Sequence, residues 1–87
     1  MAVLDAKNLV ATEQFRAAIR KWFEDSGMTQ LRASIELGIT QGLFNRLLNG
    51  KYAPSIAQAE KISKALGCEL VDVLIKGRGI LQKTNTR

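Results

Sequence analysis

The chain has 87 residues, 46% hydrophobic and 24% charged, with a net charge of +5 and a pI near 9.8. That length holds one small domain, and the balance of apolar and charged residues excludes wholesale disorder. No run approaches the roughly 18 apolar residues of a membrane span and no charged-then-apolar leader opens the sequence, so a cytoplasmic protein without membrane contact is expected.

Residues 1–11, MAVLDAKNLVA, carry Val3, Leu4, Leu9 and Val10. They are too apolar for a pure tail and too short for a domain, and read as a short helix or an N-terminal arm packing on the body. The first helix is predicted from about Thr12 to Asp25, because Phe15, Ala18, Ile19, Trp22 and Phe23 recur at helical spacing. Ser26-Gly27 ends it. Thr29 can N-cap a second helix that starts near Gln30. Gly38 stands where that helix must stop and the backbone can turn left-handed. Thr40 can cap a third helix two residues later. On it, steps of about 100° put Leu43, Phe44, Leu47 and Leu48 on one arc and Gln41, Gly42, Asn45, Arg46 and Asn49 on the other. A stripe of amides and a guanidinium on a short, supported helix suits the reading of base edges in the DNA major groove. Asn49 to Ala53 reads as a loop, and Pro54 fits the start of a fourth helix, about Ser55 to Leu66. Gly67 stops that helix. A short fifth helix, about Leu70 to Ile75, would turn Leu70, Val73 and Leu74 inward. From Gly77 on, glycines and polar residues prevail, so residues 76–87 are expected to form a flexible basic tail.

The charge is uneven along the chain. Residues 1–25 balance at zero, while Arg32, Arg46 and Lys51 against Glu36 give residues 26–52 a charge of +2. Residues 76–87 carry Lys76, Arg78, Lys83 and Arg87 with no acid, for +4. Positive charge at the helix hairpin and the tail implies a polyanionic partner. Catalysis finds no support: there is no histidine, one cysteine and no Gly-rich phosphate loop. Cys68 reads as a small apolar side chain that cannot form an internal disulfide. No enzyme activity, metal or cofactor is expected.

Two linked blocks resemble the phage Cro and lambda-type repressor, or XRE, helix-turn-helix family. In the first, Thr29-Gln30 is followed by Gly38, Ile39 and Thr40 at the family's spacing, and Asn49-Gly50 closes the third helix. In the second, PSIAQAEKISKALGCELVDVL from Pro54 to Leu74 is similar to the family's last two helices. The resemblance covers about residues 13 to 75. It implies an all-α, five-helix lambda-repressor-like domain over residues 12–75, flanked by the arm (1–11) and the basic tail (76–87). The sequence departs from the family pattern at three places. Gly42 replaces a larger polar residue, and Ala33-Ser34 stands for the usual Leu-Ala pair. Phe23 and Leu48 occupy the positions where many members pair an arginine with a glutamate, so an apolar contact is expected to join the first and third helices there.

The resemblance also assigns the site. Gln41, Gly42, Asn45 and Arg46 are the candidates for base readout. The Gln41 amide can bond N6 and N7 of adenine, and Arg46 can grip guanine or a phosphate. Gly42 would let the backbone approach DNA closely. Thr29, Gln30, Thr40, Asn49, Lys51 and Tyr52 lie where helix ends and the following loop would meet phosphates, which set register rather than specificity. Val71 and Ile75 share a face of the fifth helix, and Ile80 and Leu81 lack an obvious partner within the domain. These four residues are the candidate dimer contact. The reading is a sequence-specific transcription regulator, a phage or mobile-element repressor that binds double-stranded operator DNA as a homodimer without a small-molecule ligand. Two alternatives share these features: an excisionase-like or architectural protein on clustered DNA sites, and an antitoxin-type protein-binding module.

Overall fold

The computed structural model describes residues 9–85, and the side chains of residues 11–82. Residues 1–8 of the expected arm, and Thr86 and Arg87 of the expected tail, lie outside the described residues. The described chain is all-α: α1 Leu9–Ser26, α2 Gln30–Leu37, α3 Gln41–Leu48, α4 Ile56–Ala65 and α5 Leu70–Asn85. Phe15, Ile19, Phe44, Leu47 and Ile62 are fully buried at the centre, drawn from α1, α3 and α4. Ala33 and Leu37 of α2 and Val73 of α5 close the core around them.

The apolar face expected on α1 is present, with Phe15, Ala18 and Ile19 buried and Trp22 and Phe23 half-buried. The helix begins by Leu9, so the last residues of the expected arm are already helical. Ser34 of α2 is buried, and its hydroxyl donates to the Leu31 carbonyl at 2.7 Å, so the small residue costs no unpaired polar group. Leu31 and Ile35 do not supply the bulk that Ala33 lacks, for they are 54% and 62% exposed. Pro54 is buried but precedes the cap of α4 rather than opening the helix. Ser55 is the N-cap, its hydroxyl accepting from the Gln58 N–H at 3.1 Å.

The largest correction concerns the C-terminal region. α5 does not stop near Ile75 but runs to Asn85, and its most extensive contact is with α1. Gly77, which the sequence presents as a breaker, is buried where the two helices cross. A Cβ there would lie 1.7 Å from the Gln14 carbonyl oxygen, so the backbones approach to a distance that only glycine allows. Packing against α1 outweighs a glycine penalty of roughly 1 kcal/mol per residue. Ile80 and Leu81 are half-buried, lining a groove with Ala17, Arg20 and Glu24 of α1. They therefore have the berth within the domain that sequence reading did not find. Among the described residues, no helix is long and apolar enough to cross a membrane.

Candidate nucleic-acid interface

The geometry of α3 is set at both ends by short-range hydrogen bonds. Thr29 is extended (φ −73°, ψ 163°), and its hydroxyl accepts from the Arg32 N–H at 3.2 Å to start α2. At the other end Gly38 turns left-handed (φ 73°). Its N–H donates to Ile35 O at 3.1 Å, and the Ile39 N–H reaches back to Ser34 O at 3.0 Å. This pair of bonds satisfies carbonyls that the end of a helix leaves open. Thr40 then caps α3, accepting from the Leu43 N–H at 3.1 Å. The C-terminal end repeats the arrangement. Gly50 is left-handed (φ 75°), Gly50 N–H donates to Leu47 O at 3.2 Å and Lys51 N–H to Arg46 O at 2.8 Å.

Two side chains of α1 seat this helix on the body. Phe23 meets Phe44 edge to face, with ring centroids 5.2 Å apart and planes at 84°. The Arg20 guanidinium donates to the Leu48 carbonyl. A cation at the C-terminal end of a helix opposes the partial negative charge gathered there. The join expected between Phe23 and Leu48 is thus made by Phe23 on Phe44 and by Arg20 on the Leu48 backbone. Sequence reasoning missed Arg20. Its only signal was a positive charge flanking the apolar face of α1, and nothing in the spacing discloses a reach to a carbonyl 28 residues away.

What remains outward is a polar arc. Gln41, Gly42, Asn45, Arg46 and Asn49 are exposed, whereas Phe44, Leu47 and Leu48 are buried and Leu43 is half-buried. Among the described residues, Gln41 and Arg46 have no side-chain hydrogen bond or ion pair, so both are available to a partner. Arg32 differs: it pairs with Glu36 at 3.2 Å on another face of α2. Gly42 has nothing within 4 Å of a built Cβ, so the domain itself does not require glycine there. Asn45 and Asn49 are linked to Gln30 in a row of amides. Thr29, Thr40 and Lys51 are exposed around the arc, and Gln30 and Tyr52 are half-buried. Burial pushes the Tyr52 phenol pKa up.

The candidate dimer residues fall on different sides of α5. Val71 and Ile75 are 58% and 63% exposed, while Ile80 and Leu81 turn toward α1. Cys68 is a free, half-buried thiol whose sulfur lies 3.7 Å from the Leu66 carbonyl. Among the described residues, no group of three potential ligands could hold a metal ion.

A pair of short helices joined by residues 38–40, capped at each end and presenting one polar face, defines a helix-turn-helix domain. The chain belongs to the XRE-type helix-turn-helix family, whose model matches residues 19–73. A protein of Methanothermobacter thermautotrophicus described as an "uncharacterized HTH-type transcriptional regulator" is 33% identical over 57 residues. The match covers 66% of this chain and 83% of that protein. No solved structure is significantly similar.

Proposed function

We propose that the chain is a sequence-specific DNA-binding transcription regulator, a repressor of the phage or mobile-element kind, that lays α3 in the major groove of its operator. The observation that carries this reading is the exposed arc of α3, where Gln41 and Arg46 are free while both helix ends are fixed. In this reading the Gln41 amide pairs with adenine and the Arg46 guanidinium with guanine, each through two hydrogen bonds. Gly42 between them lets the backbone come close to the base edges. Thr29, Gln30, Thr40, Asn49, Lys51 and Tyr52 frame the arc and meet phosphates, which hold the helix in register. The family match and the regulator name of the relative support the DNA-binding regulator part of this reading.

The protein acts as a homodimer in this proposal. Val71 and Ile75, exposed and four residues apart on α5, form the apolar part of the two-fold contact. Two copies of α3 would then stand about one DNA turn apart, roughly 34 Å. Footprinting on DNA flanking the protein's own gene tests the proposal. Two half-sites with centres one helical turn apart, overlapping a promoter, are expected. A long series of evenly spaced sites with strong bending would make the protein architectural or excisionase-like. Absence of any protected site, with tight capture of the product of a neighbouring toxic reading frame, would make it an antitoxin-type module.

A further inference from the structure

Asn45 lies between two other amides. Its Nδ2 donates to Oε1 of Gln30 at the start of α2, at 3.3 Å. Its Oδ1 accepts from Nδ2 of Asn49, one turn further along α3, at 3.1 Å. Donation therefore runs in one direction, from Asn49 to Asn45 to Gln30, across the gap between the helices. A two-bond grip on adenine needs the oxygen and an N–H of one amide both turned to the base. Asn45 commits one bond from each end of its amide to its neighbours, whereas Gln41 and Arg46 commit none.

The place of the bridge gives it a purpose. The two helices are tied at one end by the turn through Gly38 and the Thr40 cap. Gln30 is the first residue of α2, while Asn45 and Asn49 belong to the later half and the cap of α3. The amide row thus closes the opposite, open end of the pair. The turn, the Phe23 ring and the Arg20 bond hold the ends and the inner face of α3, and the amide row adds a tie on its solvent side that opposes roll about the helix axis.

We infer that Asn45 is a positioning residue, which together with Gln30 and Asn49 fixes the roll of α3 so that Gln41 and Arg46 meet base edges in register. The inference rests on the DNA-reading function proposed above.

The test uses the full chain as wild type, Gln30→Ala, Asn45→Ala and the double variant, each offered a pool of random-sequence DNA duplexes. Affinity is then measured on the duplexes that wild type selects. Each single variant should bind about 2- to 10-fold more weakly, the range of one lost hydrogen bond, with the base preference of every position unchanged. The double variant should bind no worse than the weaker single one, because both changes remove the same bridge. Without DNA, the side-chain amide NMR signal of Asn45 should shift in Gln30→Ala while the melting temperature stays close to that of wild type. A preference altered at one base position by Asn45→Ala but not by Gln30→Ala would make Asn45 a reader and overturn the inference. So would losses that multiply in the double variant, or an Asn45 amide signal indifferent to Gln30. If wild type itself selects no sequence, it is the DNA-reading function that fails, and the positioning role falls with it.

Discussion

Beside the buried Ala33, Leu37, Phe44 and Leu47, α2 and α3 are joined by surface features: the Thr29 and Thr40 caps, the Gly38 turn and a row of amides. Between α1 and α5 the join is backbone against backbone, with Gly77 buried over the carbonyl of Gln14. The first pair derives its geometry from its ends and its buried inner faces, so its outward residues are free of packing duties. The second pair derives its geometry from close contact along its length, so it leaves no room for even a methyl group at one position. The proposed binding role and stability thereby fall on different residues. A change on the arc of α3 should alter binding without unfolding the domain, and a change at the α1–α5 crossing should do the reverse.

Gly77→Ala is the severest test of that division. The new Cβ meets backbone atoms of Gln14, which cannot rotate away, so the helices must separate. The expected loss is about 3 kcal/mol or more, a fall in melting temperature of roughly 15 °C or failure to fold. Gly79→Ala is the control two residues away, where a Cβ meets nothing within 4 Å. It should stabilise α5 by about 0.4–1 kcal/mol. Thermal melts of the two variants should move in opposite directions; equal shifts would mean that the close crossing is not what holds α5.

Arg20→Met probes the tie from α1 to α3. The stem is retained, but the bond to the Leu48 carbonyl is lost. A loss of about 1–2 kcal/mol in the stability of the free domain is expected from a charged donor at a helix C-terminus. Amide hydrogen exchange should quicken most in α3. Uniform quickening across the domain would place the effect in the scaffold instead.

Gly42→Ala should separate the two roles most clearly within one residue. In the free domain the site is open, so alanine should raise stability by about 0.4–1 kcal/mol through the unfolded state and helix propensity. On DNA the same methyl group should weaken binding, because the proposed function brings the backbone close to the base edges there. A variant that is more stable and binds as well as wild type would show that close approach is not needed.

Much of the helix-turn-helix was legible in the sequence. Thr29, Gly38 and Thr40 each need a particular residue type for a local reason, a capping oxygen or a left-handed turn. Local requirements leave local signatures. The period of Phe44, Leu47 and Leu48 likewise marked the buried side of α3, and so the exposed side by difference. The scaffold was less legible because its decisive contact is long-range. Gly77 and Gly79 look alike in sequence, and their neighbours suggest an unstructured basic tail. Only the partner, Gln14, distinguishes a packing glycine from a tolerated one. Arg20 was missed for the same reason. The amide row escaped notice because Gln30 and Asn45 join different helices, so neither helix's own period relates them.

The most direct test of the central claim compares wild type, Gln41→Ala and Arg46→Ala in melting temperature and in selection from random-sequence duplexes. Melting should be unchanged, because both side chains are exposed and unpaired among the described residues. Binding should weaken by about 1–3 kcal/mol for each, with preference relaxed at a different base position in each variant. Wild-type affinity and base preference in both variants would contradict the claim and move the reading surface off α3.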